Sequence, residues 1–192
     1  NIDRNKFIIL LPGRLTYWKG QKIFIEAVKL ISEKDDVPSF ETIILGSDQG
    51  RNVYKKQLIG LVQQHRLNKV IKFIDQCEEM PVAYGIANLV CSCSSEPEAF
   101  GRVSVETQAM EIPIIASDIG GSKETIIENK TGYLYKNKDP VDLSNFIAMV
   151  MQQNYNLLKS LGIEGRKNVL KKFDVDKMCQ TTFTEYKKLI EL

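Results

Sequence analysis

Two carboxylates flank a short polar turn in the middle of the chain, and their types and spacing suit a particular chemistry. Glu98 follows an apolar run over 89–93, and Glu106 lies eight positions later in a segment that favours a helix. The amino terminus of a helix offers unpaired backbone N–H groups. The segment 94–113 can therefore present carboxylate acceptors and amide donors to one ligand. That combination suits polyols such as sugars and ribose.

A basic loop near the start of the chain offers the complementary chemistry. It begins with Gly13 and Arg14 and ends with Lys19 and Gly20. The guanidinium of Arg14 is a planar fork suited to phosphate oxygens, and Lys19 supplies a point charge. Gly20 opens a predicted helix whose N–H groups and dipole favour an anion. A diphosphate could be held between the two cations, although the loop matches neither a Walker loop nor the Gly-x-Gly-x-x-Gly fingerprint.

Each of these features also has a purely structural interpretation. Acidic residues near a helix start stabilise the helix dipole without any ligand, and a basic loop can simply be solvated. The segment Gly120–Ser122 precedes a helical turn and fits either an anion-binding nest or a flexible turn with a serine cap. Tyr17 and Trp18 are interpreted as packing residues, and Glu96 as a surface charge.

Composition narrows the class of protein. With 192 residues, 43% hydrophobic and 26% charged, the chain can form one domain with a substantial core. A net charge of +2 gives no argument for nucleic acid or an anionic membrane as partner. Four cysteines without a C-x-x-C pair and a single histidine argue against a cysteine–histidine zinc site. The cysteines are expected to be reduced thiols in a reducing compartment.

Short apolar runs alternate with amphipathic segments, and helical segments alone follow at the end. Strands are predicted over 7–11, 42–45, 70–74, 89–93, 113–116 and 132–135. Helices are predicted over 20–32, 52–66, 80–87, 103–110, 139–151, 155–172 and 175–192, and a helical turn over 124–128. This alternation predicts an α/β fold with a doubly wound parallel sheet of about six strands, helices on both faces and extra C-terminal helices. Right-handed crossovers would bring the loops after the strands to one edge, where ligands bind.

Four motifs, taken in order, resemble those of glycosyltransferase family 4. They are Gly13-Arg14 with Lys19-Gly20, the segment 94–101 with Glu106, the segment 113–121 with Glu124, and the segment 131–134. The resemblance covers residues 7–192. It implies a retaining enzyme of the GT-B architecture, in which residues 1–192 form the single Rossmann-like C-terminal domain that binds the donor. The N-terminal acceptor domain of such an enzyme is absent from this sequence.

The resemblance also assigns a donor site, by motif match. Arg14 and Lys19 would contact the diphosphate, Glu98 the hydroxyls of the donor sugar, and Glu106 the ribose hydroxyls. The base would lie near the loop after the third strand. The catalytic residues implied are Arg14, Lys19 and Glu98. The donor-binding residues implied are Gly13, Arg14, Lys19, Gly46, Ile74, Gln76, Glu98, Ala99, Phe100, Gly101, Arg102 and Glu106.

The activity implied is transfer of a glycosyl group from a nucleoside diphosphate sugar to an acceptor with retention, in glycan, lipopolysaccharide or glycolipid synthesis. No metal or other cofactor is expected, because the basic residues and helix amino termini would offset the diphosphate charge. The expected partners are the sugar nucleotide and the acceptor domain, without nucleic acid. A cytoplasmic location is expected, and peripheral contact of the full-length enzyme with the inner membrane face stays open. The isolated domain is expected to bind the donor weakly and transfer little.

Two positions depart from the family pattern, and two other classes of protein stay open. Thr107 replaces the usual Ala and Glu111 the usual Gly, and these changes at a helix surface and its end are expected to alter the helix terminus locally. A signalling receiver domain is also doubly wound and would use Asp75, but Gly13 and Arg14 replace its acidic pair. A non-catalytic nucleotide-sugar-binding or interaction module would keep the fold without turnover.

Overall fold

A six-stranded parallel sheet forms the centre of the computed structural model, which describes residues 2–3, 5–50 and 52–190. The strands are β1 (Phe7–Pro12), β2 (Phe40–Leu45), β3 (Ile71–Ile74), β4 (Leu89–Ser92), β5 (Ile114–Ser117) and β6 (Tyr133–Tyr135). Their spatial order is β3-β2-β1-β4-β5-β6, and every neighbouring pair is parallel. The winding direction reverses between β1 and β4, which is the switch point where ligands bind in such sheets.

Helices cover both faces of the sheet, as predicted. In the described residues they are α1 (Gln21–Ser32), α2 (Asn52–Gln64), α3 (Met80–Gly85), α4 (Arg102–Ala109), α5 (Ser122–Thr125), α6 (Pro140–Gln152), α7 (Tyr155–Lys172) and α8 (Val175–Ile190). A single 3₁₀ turn, Tyr17–Lys19, lies in a loop where no helix was predicted. Helices α1, α2 and α6 pack on one face, and α3 packs on the other. The predicted α/β class, the six parallel strands and the extra C-terminal helices are therefore confirmed.

Alternate residues of each strand pack into two separate apolar clusters. On β1, Ile9 belongs to the cluster that contains Phe24 of α1, while Ile8 and Leu10 belong to the cluster that contains Tyr84 of α3. Successive side chains of a strand point to opposite faces, so a sheet covered on both faces requires uninterrupted apolar runs. Each fully buried side chain of this size contributes roughly 1.5–3 kcal/mol to stability. These runs made the strands visible in the sequence.

Most predicted boundaries agree with the structure to within two residues, but the helical turn predicted over 124–128 begins two residues earlier and ends three residues earlier. Helix α5 ends at Thr125, and Ile126 is already extended, with φ −107° and ψ 131°. The buried side chains of Gln108 and Asn168 both donate hydrogen bonds to the carbonyl of Thr125, at 3.0 and 3.1 Å. That carbonyl is therefore occupied and does not continue the helix. The last two residues of the final predicted helix, 191–192, lie outside the described residues.

The carboxyl end of α4 corrects the expectation for the two atypical positions. Glu111 has a φ of 59°, in the left-handed region. Its N–H donates to the carbonyl of Gln108 at 3.0 Å, and the N–H of Ile112 donates to that of Thr107 at 3.2 Å. These two bonds form the Schellman motif, so the terminus is an ordinary one with glutamate where glycine is favoured. Thr107 is fully buried rather than on the helix surface.

Helix α8 differs from the other long helices because none of its residues is buried. Its large apolar side chains are exposed, and they are Val175, Met178, Phe183, Tyr186, Leu189 and Ile190. Over the part of the chain that the structure describes, no helix combines the length and the apolar character needed to cross a bilayer.

Two glycines inside helices test the packing of the fold. A Cβ at Gly60 in α2 would meet no atom within 4 Å, whereas a Cβ at Gly162 in α7 would lie 2.0 Å from the carbonyl oxygen of Glu111. Alanine is favoured over glycine inside a helix by about 0.5–1 kcal/mol. Gly60→Ala is therefore expected to raise the free energy of unfolding by about that amount. Gly162→Ala is expected to lower it, because α7 must move away from the end of α4.

Chemical denaturation followed by circular dichroism measures both changes. The two variants make the same substitution in the same kind of element, so each is the control for the other. Changes of equal sign and size would contradict the close approach of α7 to Glu111.

Candidate functional site

A cleft of about 600 Å³ opens at the carboxyl end of the sheet, next to the switch point between β1 and β4. Residues from the loops after β1, β2, β3 and β4 and from helices α3 and α4 line it. All the residues that the resemblance assigned to the donor site line this cleft except Ile74. The structure thus brings distant sequence motifs together, while the role of each residue stays a prediction.

Ile74 lies behind the wall of the cleft rather than on it. Its side chain packs against the apolar cluster that contains Tyr84, and its carbonyl accepts a hydrogen bond from the N–H of Gly46 at 2.9 Å. The next residues, Asp75, Gln76 and Cys77, line the cleft instead. The lining of the cleft therefore begins at Asp75, one residue after Ile74, where β3 ends.

The loop after β1 is fixed in place by its own backbone. Gly20 has a φ of 70°, and a Cβ at this position would lie 1.8 Å from the carbonyl oxygen of Cys93, at the end of β4. Only glycine fits such an approach without strain. The buried side chain of Gln21 donates to the carbonyl of Arg14 at 2.8 Å. These contacts hold the basic loop against the end of β4.

An ion pair joins the basic loop to the loop after β4. The Nζ of Lys19 lies 2.7 Å from Oε1 of Glu98, and the two side chains are only 14% and 16% exposed. The hydroxyl of Ser94 donates to the same carboxylate oxygen. The Lys19 ammonium also lies 4.5 Å from the centre of the Trp18 ring, so Trp18 lines the cleft as well as packing in the loop. Glu98 is therefore oriented by a buried hydroxyl and a cation.

Arg14 is an exposed cation of the cleft. Within the described part of the chain, its guanidinium makes no hydrogen bond or ion pair, and only its backbone carbonyl is engaged, by Gln21. Its five N–H donors are thus available to a ligand with paired oxygen atoms. Among the described residues, no group of three or more Asp, Glu, His or Cys side chains is placed to hold a metal ion.

The second carboxylate has the same kind of support as the first. The hydroxyl of Tyr84 donates to Oε2 of Glu106 at 2.8 Å, and the guanidinium of Arg102 donates to Oε1 at 2.8 and 3.2 Å. Burial, and after it the contact with Glu106, raises the pKa of Tyr84 far above its usual value. The phenol therefore remains protonated and remains a donor to Glu106 at neutral pH.

Sequence reasoning missed the two hydroxyl groups that support the carboxylates. Tyr84 lies in a short helix and is nearly fully buried, so its type and position indicate a core residue. Ser94 belongs to the motif that contains Glu98, and its position four residues before that carboxylate is the signal that could have marked it. No comparable signal links Tyr84 to Glu106, because their contact depends on how α3 and α4 lie beside the sheet.

The glycine pair at 120–121 supports the loop of Glu98. The N–H of Gly121 donates to the backbone carbonyl of Glu98 at 2.8 Å, and a Cβ at Gly120 would lie 2.7 Å from the same oxygen. Ser122 is the first residue of α5, and no side-chain cap bond is present there. The predicted serine cap is therefore wrong, and the anion-binding nest stays a prediction in which the Gly121 N–H is already occupied.

Comparison with known protein families gives one match over most of the chain. The family model described as "Glycosyl transferases group 1" matches residues 1–168. D-inositol 3-phosphate glycosyltransferase of Corynebacterium efficiens is 28% identical over 149 residues, which cover 77% of this chain and 35% of that relative. The chain thus spans about a third of the length of such curated relatives.

Solved structures resemble this chain over nearly its whole length. A glycosyltransferase from Rickettsia africae superimposes with a TM-score of 0.90 at 30% identity, over 97% of this chain and 48% of that one. HepE of Anabaena, solved with UDP-glucose, gives 0.86 at 26% identity, over 98% and 50%. The C-terminal domain of LpcC, a glycosyl transferase group 1 family protein of Francisella tularensis, gives 0.78 at 26% identity, over 88% and 87%.

The four cysteines provide a chemical test of the site geometry. Cys91 and Cys93 are buried, and burial raises the pKa of both thiols, that of Cys93 to about 12. Cys77 lines the cleft, and Cys179 is exposed on α8. Because the thiolate is the reactive form, an alkylating reagent at about pH 8 is expected to modify only Cys77 and Cys179 in the native protein. All four should react after denaturation. Labelling of Cys91 in the native protein, detected by peptide mass spectrometry, would contradict the packing of β4.

Proposed function

The chain belongs to the glycosyl transferases group 1 family, and from this premise we propose that its cleft binds a nucleoside diphosphate sugar as the donor of a glycosyl group. One observation is the main support: the charged residues that line a single cleft include the cations Arg14 and Lys19 and the carboxylates Glu98 and Glu106. Membership of this family removes the receiver domain as an alternative. Assignment to glycosyltransferase family 4 stays a prediction.

The charges in the cleft match the two chemically distinct parts of such a donor. The proposed diphosphate contacts are the exposed guanidinium of Arg14 and the ammonium of Lys19. An ammonium has three donors, so Lys19 can bind a phosphate oxygen and keep its bond to Glu98. The hydroxyls of the sugar would donate to Glu98, and those of the ribose to Glu106. Hydrogen bonds with an ionised partner are stronger than neutral ones, which favours this division.

The proposed base site is the wall formed by Asp75, Gln76 and Cys77. The Anabaena relative was solved with UDP-glucose, which makes UDP-glucose the first donor to test here.

In the proposed chemistry, the cleft stabilises the leaving nucleoside diphosphate. As the bond from the sugar to the diphosphate breaks, negative charge grows on the phosphate oxygens, and Arg14 and Lys19 are already placed beside them. Fixed charges at a developing negative centre are among the largest contributions to catalysis. Glu98 positions the sugar and is not proposed as a nucleophile. Transfer with retention and without a metal ion is part of the same proposal.

Catalysis by the whole protein is proposed to require a second domain. The chain covers 35% of a curated relative and 48% of a structural neighbour, which is consistent with one domain of a two-domain enzyme. In this proposal the other domain binds the acceptor, and the product is a glycan, lipopolysaccharide or glycolipid made at the cytoplasmic side of a membrane. The 192 residues alone would then bind the donor and transfer little. A non-catalytic nucleotide-sugar-binding module, the alternative function, would behave in the same way.

Calorimetry with a panel of UDP-, GDP- and ADP-sugars tests the donor site. At least one donor is expected to bind, and the double variant Arg14→Gln with Lys19→Gln should bind it at least about tenfold more weakly. The reason is that one hydrogen bond to a charged group contributes roughly 1.5–3 kcal/mol. The control, Lys187→Gln with Lys188→Gln, removes the same charge from α8 and should bind as the unaltered protein does. Absence of binding by the whole panel, or equal loss in the control, would reject the proposal.

The cysteine in the cleft gives an independent measurement of where the donor binds. Saturating donor is expected to slow alkylation of Cys77 severalfold, because the ligand covers the wall in which this thiol lies. Cys179 on α8 is exposed and serves as the reference within the same molecule. A donor that binds in calorimetry and leaves the ratio of the two alkylation rates unchanged would place its binding site elsewhere.

A further inference from the structure

The carboxylate of Glu106 is held by two groups that differ greatly in exposure. The Tyr84 hydroxyl, which bonds Oε2 at 2.8 Å, belongs to a residue that is 2% exposed. The Arg102 guanidinium, which bonds Oε1, belongs to a side chain that is 83% exposed. The proposed function gives Glu106 a ligand and gives Tyr84 no role.

This difference decides which contact a ligand can replace. An exposed ion pair between residues four apart on a helix is weak and screened by salt, so ligand hydroxyls can displace Arg102 from Oε1. Tyr84 is packed in the apolar cluster between the sheet and α3, where its ring is fixed. An unpaired hydroxyl at a buried position is costly, which favours retention of its bond to Oε2. Tyr84 and Glu106 therefore stay paired when Arg102 leaves.

An ionised carboxylate has about four acceptor positions. Tyr84 occupies one of them, and displacement of Arg102 frees the two that its Nε and NH2 groups occupy on Oε1. The two hydroxyls of a ribose then find enough acceptor positions on a carboxylate whose orientation is fixed. If the Glu106 carboxylate could rotate freely, it would accept hydrogen bonds from both ribose hydroxyls for a smaller fraction of the time.

We infer that Tyr84 is a positioning residue, which fixes the carboxylate of Glu106 and thereby makes the cleft prefer ribonucleotides to 2′-deoxyribonucleotides. The inference rests on the proposed function, because it needs the ribose to lie at Glu106. It adds to that function a residue, Tyr84 of α3, that determines whether the cleft selects ribose over deoxyribose.

The affinities of UDP, GDP and ADP, each beside its 2′-deoxy analogue, test the inference by calorimetry. The unaltered protein is expected to prefer the ribonucleotide by about tenfold, the value of one hydrogen bond to a charged group. Tyr84→Phe removes only the hydroxyl and should reduce this preference to about twofold. Tyr133→Phe makes the same change in another buried tyrosine, whose hydroxyl contacts Gln153 outside the cleft, and should leave the preference near tenfold.

A second comparison separates positioning from simple packing. If Tyr84 acts through Glu106, the double variant Tyr84→Phe with Glu106→Gln should show the same preference as Glu106→Gln alone. Thermal unfolding of each variant reports packing separately. A Tyr84→Phe protein that is less stable and still prefers ribonucleotides tenfold would overturn the inference. Tyr84→Met, which also lacks the hydroxyl, replaces the phenylalanine variant if that variant does not fold.

The inference and the proposed function fail in different ways. If the unaltered protein binds none of the nucleotides, both are rejected. If it binds a ribonucleotide with the expected preference and Tyr84→Phe keeps that preference, only the role of Tyr84 is rejected.

Discussion

The cleft depends on backbone segments that approach each other more closely than side chains would permit. Gly20 lies against the carbonyl of Cys93, and Gly120 lies against the carbonyl of Glu98, at distances that no Cβ could share. The first approach places the basic loop beside the end of β4, and the second supports the acidic loop from the β5 side. Lys19 and Glu98 form their ion pair between the two loops that are held in this way. The electrostatics of the site thus follow from a steric constraint.

Glu98 and Glu106, two of the carboxylates that line the cleft, are supported in the same way. Each accepts a hydrogen bond from a buried hydroxyl, Ser94 for Glu98 and Tyr84 for Glu106, and each also contacts a cation. The hydroxyl comes from the protein core and fixes the direction of the carboxylate. The cation balances its charge and lines the cleft. Side chains that are oriented before binding lose less conformational freedom when a ligand arrives, which is the advantage of such support.

The strands and the charged loops could be predicted from local sequence patterns, whereas the end of α5 and the contact of Tyr84 depend on packing between distant segments. Apolar runs on β1 and its neighbours had to be uninterrupted because both faces of the sheet are covered, so the sequence indicated the strands directly. The charged residues of the loops were also visible, since glycines and prolines mark where strands end. The helical turn predicted over 124–128 ends earlier than expected, at Thr125, whose carbonyl is occupied by Gln108 and Asn168. The hydrogen bond from Tyr84 to Glu106 could not be predicted for a related reason, because the two residues lie 22 positions apart on different helices.

The place of β1 in the sheet has a consequence for how the chain is made. This strand lies between β2 and β4, and the N–H of Ile8 bonds to the side chain of Asn88, 80 positions later. At a synthesis rate of about 5–20 residues per second, those positions leave the ribosome roughly 4–16 s apart. During that interval one edge of a fully apolar strand has no neighbour, which is the condition under which strands pair with other chains. The centre of the finished sheet is therefore completed late, and the nascent chain is most vulnerable to aggregation before β4 emerges.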